Sequence, residues 1–316
     1  MPKAKAKKPL ICLIGPTAVG KTEVALQLAK RIRAEIISCD SMQVYKGIDI
    51  ASSKPTKRQR KEVPHHLIDV ASPCRQYNAA RFRTSCLKII GDIHKRGNLP
   101  LIVAGTGLYL RALLDGLFTG PGQSAQLRRR FYQQAKKYGP AHLYKKLKEI
   151  DPPAAGAIHP HDLRRIVRAL EVYELTDLPI SKLKKKANGI RSKYDVRIFG
   201  LKRQRDRLYA RIEKRVDEMF RQGLVAEIKK LTRRKVSRTA KSLLGYKEIE
   251  GFLNGEYSCD EARGLLKRNT RRYAKRQLSW FRKEKGVRWV EVGPRDTPEL
   301  VAKKIASSKD VGDRQR

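Results

Sequence analysis

Short apolar runs alternate with amphipathic segments along the first hundred residues of the chain. Residues 9–14, 35–39 and 98–104 are mostly apolar and rich in β-branched side chains, as buried strands are. The segments between them, 24–32 and 82–93, place apolar residues at helical spacing. Strands that alternate with helices predict an α/β fold with a doubly wound parallel sheet.

This alternation stops near residue 120. From 124 to 177 the pattern is helical and interrupted by turn signals, and strand character returns only at 195–201. We therefore predict a helical insertion in the sheet-forming core. The expected segments are a basic disordered arm at 1–9, a core formed by 10–120 and 195–293, a helical insertion domain at 121–194, and a polar tail at 294–316.

The turn after the first predicted strand fits the phosphate-loop (P-loop) pattern G-x-x-x-x-G-K-[S/T], with the sequence Gly15-Pro16-Thr17-Ala18-Val19-Gly20-Lys21-Thr22. Its glycines let successive N–H groups point at an anion at a helix N-terminus. Lys21 adds a positive charge for the outer phosphates, and the Thr22 hydroxyl is a suitable ligand for Mg²⁺. Because a strand precedes the loop and a helix follows it, we interpret it as a phosphate or diphosphate site in a P-loop core.

Two other polar stretches follow predicted strands and so belong to the same edge of the sheet. Asp40 follows the second strand, and Thr106 follows the strand at 98–104. A carboxylate at this edge suits general base catalysis or Mg²⁺ binding through water. Taken alone, Asp40 is more simply explained as the N-cap of a helix.

The charge of the chain narrows the choice of partners. Lys and Arg number 72 against 31 Asp and Glu, a net charge of +41, which favours a nucleic acid as partner. No apolar run approaches the ~20 residues of a membrane span, and no signal-peptide core follows the N-terminus. The five scattered cysteines favour a reducing cytosol over a disulfide framework or a zinc site.

Two sets of arginines recur at helical spacing: Arg164, Arg165 and Arg168 in the insertion, and Arg207, Arg211 and Arg215 after the strand at 195–201. The first set is either a solvated face or a contact to a nucleic-acid backbone. The second either binds phosphate oxygens or forms surface ion pairs. Between 268 and 282 basic and aromatic side chains are interleaved, which suits a polyanion with stackable bases unless the aromatics belong to the core.

Seven stretches in order along residues 10–293 resemble the signature blocks of tRNA dimethylallyltransferases. A P-loop alone is common, whereas the ordered set is specific. The stretches are Gly15-Pro16-Thr17-Ala18-Val19-Gly20-Lys21-Thr22, Asp40-Ser41-Met42-Gln43-Val44-Tyr45, Pro64-His65-His66-Leu67-Ile68-Asp69, Gly105-Thr106-Gly107-Leu108-Tyr109, Arg168-Ala169-Leu170-Glu171-Val172, Gly245-Tyr246-Lys247-Glu248 and Lys275-Arg276-Gln277-Leu278-Ser279-Trp280-Phe281.

The resemblance implies transfer of a dimethylallyl group from dimethylallyl diphosphate to N6 of the adenosine 3′ of the anticodon (position 37) in tRNA, with release of pyrophosphate. It implies that Asp40 takes the proton from the attacking amine and that Thr106 hydrogen-bonds the bridging oxygen. Lys21 and an arginine, Arg211 or Arg215, would hold the diphosphate, with Mg²⁺ as the cofactor.

The resemblance also implies contacts to the anticodon stem-loop of tRNA. The implied residues are Asp40, Ser41, Met42, Gln43, Thr106, Arg164, Arg165, Ile166, Val167, Arg168, Ser242, Gly245, Tyr246, Lys247, Lys275, Arg276, Gln277, Trp280 and Arg282. We expect a cytoplasmic monomer that binds no membrane.

Two alternatives are an adenylate dimethylallyltransferase, which acts on free AMP, ADP or ATP, and an ATP-dependent P-loop kinase. The helical insertion and the basic C-terminal helix favour tRNA over free nucleotides, and no triphosphate-sensing lid is recognisable. The sequence departs from the family at Ala104, where glycine is usual. Eukaryotic members often append a Cys/His zinc module, which this sequence lacks; that fits a bacterial form.

Overall fold

Six strands form the central sheet of the protein, whose computed structural model describes residues 7–118, 120–185 and 187–308. They are β1 (Lys8–Ile14), β2 (Ala34–Cys39), β3 (His65–His66), β4 (Leu99–Ala104), β5 (Tyr194–Lys202) and β6 (Val287–Glu291). Their spatial order is β3-β2-β4-β1-β5-β6, and the pairs are parallel. This confirms the predicted α/β fold class.

Strand β1 lies at the centre of the sheet, which explains its unbroken apolar sequence. Cys12 is opposite Ile102 of β4 on one side and Ile198 of β5 on the other. Residues 10–14 are buried on both faces, at most 1% exposed. A strand that is covered on both faces has no position for a polar side chain.

The first part of the chain contributes four helices around this sheet. They are α1 (Lys21–Arg31), α2 (Lys57–Glu62), α3 (Ala79–Lys95) and α4 (Gly107–Leu114). Helix α3 begins where the side chain of Asn78 accepts a hydrogen bond from the Arg81 amide, and it buries Phe82, Cys86 and Ile90.

Residues 115–189 form a compact helical unit of their own. It consists of α5 (Ala125–Tyr138), α6 (Pro140–Ile150), α7 (Pro152–Ala157), α8 (Leu163–Thr176) and α9 (Ile180–Lys185). Phe131, Leu143, Leu147, Ile166 and Leu170 meet in its core. Such a core lets the unit bury its own apolar faces.

Five further helices follow β5 in the first unit. They are α10 (Arg205–Arg221), α11 (Leu224–Thr232), α12 (Tyr246–Leu253), α13 (Cys259–Phe281) and α14 (Pro298–Ala306), with a 3₁₀ turn at Ala240–Ser242. The long helix α13 starts with a capping box in which Ser258 and Glu261 exchange hydrogen bonds, as their spacing predicts.

The division of the chain differs in detail from the expected segments. The core unit comprises the described residues before 115 and after 189, so both borders of the helical unit lie about five residues before the predicted ones. The predicted polar tail contains helix α14, which buries Val301, Ala302 and Ile305 among residues of the core. Its start is marked by Thr297 as N-cap and Pro298, a signal that the polar composition obscured. Residues 1–6 of the predicted arm and 309–316 of the tail lie outside the described residues.

A buried carboxylate ties β2 to its neighbours near the amino end of the strand. Glu35 is 4% exposed and accepts hydrogen bonds from Arg96 (2.7 and 3.0 Å) and Asn98 (2.9 Å), while His66 Nε2 lies 2.7 Å away. Hydrogen bonding from Arg96, with Asn98 and His66, lowers the pKa of Glu35 to about 2 against the cost of burial. His66 therefore has a structural partner.

Within the described ranges no helix is long and apolar enough to cross a membrane. The five cysteines are free; Cys12, Cys39 and Cys86 are buried and Cys74 is exposed.

Candidate active site

The P-loop connects the end of β1 to the start of α1, as predicted. Gly15 has φ +152°, and a Cβ there would lie 2.8 Å from the carbonyl oxygen of Leu201. Gly20 has φ +107° and caps α1. The central strand thus aims the loop at the N-terminus of a helix, the arrangement that binds anions.

Lys21 lies folded against this loop. Its Nζ donates hydrogen bonds to the carbonyl oxygens of Gly15 and Pro16, both at 2.8 Å. Burial, with a smaller contribution from the positive charge of Arg215, lowers the pKa of Lys21 to about 8. An anion in the loop would compensate the charge that burial disfavours.

Three arginines lie beside the P-loop, one directly after β5 and two on α10. Arg211 Nε donates to the Ala18 carbonyl (2.9 Å), and Arg203 Nε donates to the Val19 carbonyl (2.9 Å). Arg215 lines the cleft, and burial lowers its pKa. Arg203 was missed from sequence, although it lies two residues after a predicted strand, which is a signal that could have found it.

Asp40 and Thr106 meet at the carboxyl ends of β2 and β4. The amides of Gly105 and Thr106 donate to the Cys39 carbonyl, and the Ser41 amide donates to Thr106 Oγ1 (3.0 Å). The two strand ends are thereby tied together, with both side chains at one end of the sheet. The predicted convergence of these two residues is present.

The two oxygens of the Asp40 carboxylate have different surroundings. Oδ1 accepts hydrogen bonds from the amides of Met42 (2.8 Å) and Gln43 (3.3 Å), which resembles the capping role considered from sequence. Oδ2 lies on the side of Gly105, 3.0 Å from where a Cβ of that residue would be. Among the described residues Oδ2 has no hydrogen-bond donor, so it can accept a proton.

Gln43 is fixed on both sides of its amide. Its Oε1 accepts from Ser38 Oγ (2.7 Å), and its Nε2 donates to the carbonyls of Ser53 (3.2 Å) and Ser52 (3.4 Å). Gln43 thereby attaches the loop at 48–56, which forms one wall of the cleft, to the end of β2.

A glutamate from α11 holds the same loop. The Glu227 carboxylate accepts hydrogen bonds from three consecutive amides, those of Asp49 (2.8 Å), Ile50 (2.9 Å) and Ala51 (2.9 Å). Nothing in the local sequence marks this contact, because the partners are 176–178 residues apart.

The P-loop, the ends of β2 and β4, the 48–56 loop and helices α10 and α13 enclose a cleft of about 1040 Å³. Lys21, Thr22, Asp40, Arg211 and Arg215 line it together. Its polar wall is rich in positive charge at one end and carries the free carboxylate oxygen of Asp40. The cleft is large enough for a diphosphate ester and a nucleobase at once.

Helix α13 contributes Tyr273, Arg276 and Gln277 to this cleft. Gln277 is 7% exposed; its Oε1 accepts from the Thr17 amide (2.8 Å) and its Nε2 donates to the Gly105 carbonyl (2.7 Å). The side chain therefore bridges the P-loop and the turn beside Asp40. Both of its polar atoms make these internal contacts, and the implied contact of Gln277 to tRNA stays a prediction.

The other residues of this unit that were implied to contact tRNA differ in their exposure to solvent. Lys247, Lys275 and Arg282 are exposed, and Ser242 lies at the cleft. Gly245 is buried, and Tyr246 is 2% exposed in the hydrophobic core. The helix start that they form packs against the core, and their implied contacts to tRNA stay predictions.

Trp280 is half-buried and lies three residues after Gln277 along α13. It packs against the backbone of Gly107, and the Arg111 guanidinium lies 4.6 Å from its ring centre. The structure thus uses part of this ring in packing, the alternative that was left open from sequence.

In the helical unit, the residues of the block 164–168 also differ in their exposure. Arg164 and Arg165 are exposed, whereas Ile166 and Val167 are at most 1% exposed in the core. The side chains of Ile166 and Val167 are enclosed by α8 and its neighbours, and their implied contacts to tRNA stay predictions.

Arg168 has an internal role in the same unit. It donates to the carboxylate of Glu171 (2.7 Å) and to the Pro121 carbonyl (3.0 Å). Glu171 is fully buried and also accepts from Arg128 (2.9 Å) and the Ser124 amide (2.8 Å). These hydrogen bonds keep the pKa of Glu171 low although burial raises it. Arg168 is thus held by internal partners, and its implied contact to tRNA stays a prediction.

Thr22 is suited to hold Mg²⁺ with the help of a substrate. Its hydroxyl lines the cleft and makes no hydrogen bond to the described residues. Among those residues no group of three or more His, Cys, Asp or Glu side chains could hold a metal by itself. A hydroxyl that leaves most of the coordination shell to phosphate oxygens and water is a usual site for Mg²⁺.

Comparisons with known families cover almost the whole chain. The model described as IPP transferase matches residues 43–284, and the one described as isopentenyl transferase matches residues 9–69. The chain is 47% identical over 291 residues to tRNA dimethylallyltransferase 2 of Geotalea daltonii, covering 92% of this chain and 89% of the relative. It is 43% identical over 304 residues to the tRNA dimethylallyltransferase of Halothermothrix orenii, covering 95% and 93%.

Solved structures of related transferases are also similar to this chain. The tRNA isopentenylpyrophosphate transferase of Bacillus halodurans is 41% identical with a TM-score of 0.69, covering 95% of this chain and 96% of that one. A eukaryotic dimethylallyltransferase acting on tRNA is 30% identical with a TM-score of 0.78, covering 95% and 77%. The resemblance found in the sequence is thus confirmed, and the chain belongs to the tRNA dimethylallyltransferase family.

Proposed function

We propose that this protein transfers a dimethylallyl group from dimethylallyl diphosphate to N6 of the adenosine 3′ of the anticodon (position 37) in tRNA, releasing pyrophosphate. The observation that carries the proposal is the cleft, in which an anion cradle and the unoccupied carboxylate oxygen of Asp40 lie within one cavity. Family membership favours tRNA over free nucleotides as the acceptor.

The P-loop amides, Lys21 and the arginines Arg211 and Arg215 bind the diphosphate of the donor. They are already placed, so they stabilise the charge that grows on the leaving group without reorganisation. Arg203 supports this cradle by holding the Val19 carbonyl. Mg²⁺ at Thr22 supplies further positive charge beside the diphosphate when it is bound.

The exocyclic amine of adenine is a weak nucleophile, so its orientation supplies much of the rate. The lone pair of N6 forms a bond to the terminal allylic carbon, and the bond from that carbon to the diphosphate oxygen breaks. Asp40 Oδ2 takes the proton that N6 loses, and Thr106 donates a hydrogen bond to the departing oxygen. The target base must leave its stack in the loop to enter the cleft.

An assay with labelled dimethylallyl diphosphate and Mg²⁺ tests this proposal. Unmodified tRNA is offered in one reaction and AMP or ATP in another. Label in tRNA alone is expected. Label on the free nucleotide would assign an adenylate dimethylallyltransferase, and ATP hydrolysis without transfer would assign a P-loop enzyme of another class.

A further inference from the structure

A basic segment with no acidic residue runs from the last turns of α11 to the 3₁₀ turn. It carries seven basic side chains within residues 229–241, and all seven are exposed. We name it the basic ridge; its members are Lys229, Lys230, Arg233, Arg234, Lys235, Arg238 and Lys241.

The charges of the ridge are not neutralised by the protein. Within the described part of the chain none of the seven forms an ion pair. Neighbouring helices behave differently: Lys267 pairs with Asp217 at 2.7 Å and Arg271 pairs with Glu213 at 2.5 Å. Adjacent like charges repel one another, so a polyanion would be bound favourably here.

The backbone beneath the ridge is fixed. Val236 and Ala240 are buried in the core, and the Ser237 amide donates to the Pro73 carbonyl (2.8 Å). Ser237 Oγ in turn accepts from the Ala240 amide (3.2 Å). The side chains are thus displayed from an ordered backbone, which leaves less conformational entropy to be lost on binding.

The ridge leads directly to the candidate active site. Its last residue, Lys241, lies in the 3₁₀ turn, and the next residues, Ser242, Leu243 and Leu244, line the cleft. A polymer whose base occupies the cleft therefore has the ridge beside the point where it enters.

We propose that the basic ridge binds the phosphate backbone of the substrate RNA next to the base held in the cleft. This inference rests on the proposed function, to which it adds a contact surface outside the signature blocks. Lysine and arginine without interleaved amides or aromatic rings bind phosphates independently of sequence. The ridge therefore contributes to RNA affinity and leaves the chemical step unchanged.

A charge-matched pair of variants tests the proposal. The ridge variant is Arg233→Gln, Arg234→Gln, Lys235→Gln. The control variant, Arg31→Gln, Arg33→Gln, Lys95→Gln, loses the same charge from exposed residues near the amino ends of β2 and β4, at the opposite edge of the sheet. Binding of unmodified tRNA is measured from low to high salt, and kcat and KM for tRNA are measured by label transfer.

For the ridge variant, the slope of log K against log salt is expected to fall by about two to three, since each lost phosphate contact removes about 0.7–0.9. We expect KM for tRNA to rise about tenfold or more at moderate salt, with kcat unchanged. Equal slopes for the two variants, or a loss of kcat alone, would overturn the proposal. If the wild type transfers no label to tRNA, the proposed function fails, and the binding slopes still decide on the ridge.

A footprint on the unaltered protein gives a second readout. Cys74 is exposed and adjoins Pro73, whose carbonyl holds the ridge. Saturating tRNA is expected to slow alkylation of Cys74 by a neutral reagent several-fold, and dimethylallyl diphosphate alone leaves the rate unchanged. A rate that tRNA does not alter would contradict contact at this surface.

Discussion

The carboxyl edge of the core sheet and helix α8 of the helical unit use their charged residues in different ways. At the sheet edge, charged side chains from separate stretches of sequence face one cleft and leave polar atoms free, such as Asp40 Oδ2. On α8, one short block is divided between a buried ion-pair network at Arg168 and Glu171 and two exposed arginines. Spacing along a helix shows which residues share a face, but a buried partner decides which of them can bind a ligand.

The largest effect is expected at the cleft, from Asp40→Asn. The amide can still accept the turn hydrogen bonds at one oxygen but cannot take the proton from N6, so kcat should fall about 10²–10⁴-fold. Affinity for tRNA, measured by equilibrium binding, should change little. An equal loss of turnover and affinity would make Asp40 a binding residue instead of the base.

In the helical unit, Glu171→Gln should act on stability and not on chemistry. It leaves two arginines without their carboxylate, and since each arginine is about a quarter exposed, a loss of roughly 2–4 kcal/mol is expected. Urea unfolding of the variant, with Glu174→Gln at an exposed pair as the matched control, measures it. Wild-type stability would show that the contacts of Glu171 to Arg168 and Arg128 contribute nothing to the folding of this unit.

The core also contains a buried glutamate, Glu35, whose contribution to stability can be tested by its dependence on pH. The folded-state pKa of Glu35, about 2, lies below the ordinary value of 4.5. The stabilisation, on the order of 3 kcal/mol, is thus present above pH about 4.5 and is lost as the pH falls toward 2. The unfolding free energies of wild type and Glu35→Gln should converge on acidification. Parallel curves would show that the Arg96 contacts do not favour the charged form.

Gln277→Met tests whether α13 positions the site or only contacts RNA. The substitution leaves the Thr17 amide and the Gly105 carbonyl without a partner, and we expect kcat to fall about 10- to 100-fold through misplacement of the P-loop and Asp40. KM for tRNA should stay near its wild-type value, and Gln277→Glu, which can still accept from Thr17, should recover part of kcat. A raised KM with normal kcat would indicate that Gln277 binds RNA and does not position the site.

The smallest effect is expected from Arg164→Ala together with Arg165→Ala. Two exposed arginines account for a decrease in the salt slope of tRNA binding of about 1.4–1.8 if both contact phosphates. The unfolding free energy should be unchanged, in contrast to Glu171→Gln. An unaltered salt slope would leave this face merely solvated.

Much of this architecture was predictable because its signals are local. The P-loop, the strands before Asp40 and Thr106, and the helix that Ser258 begins are each specified by neighbouring residues. Even Arg168 had a local signal, since Glu171 lies three residues further on, but its burial depends on how α8 packs. Glu227 had none, because its partners at 49–51 come from a distant part of the chain.

The central position of β1 has a consequence for the order in which the molecule can assemble. Its neighbours β4 and β5 follow it in sequence on either side of the whole helical unit, and Gln277 reaches the Thr17 amide across 260 residues. Contacts of such sequence separation form late, because a long loop must close before they are made. During synthesis the P-loop is made first, yet its support is completed only after α13 has left the ribosome. A nascent chain that ends before α13 therefore contains the P-loop motif but not the completed active site.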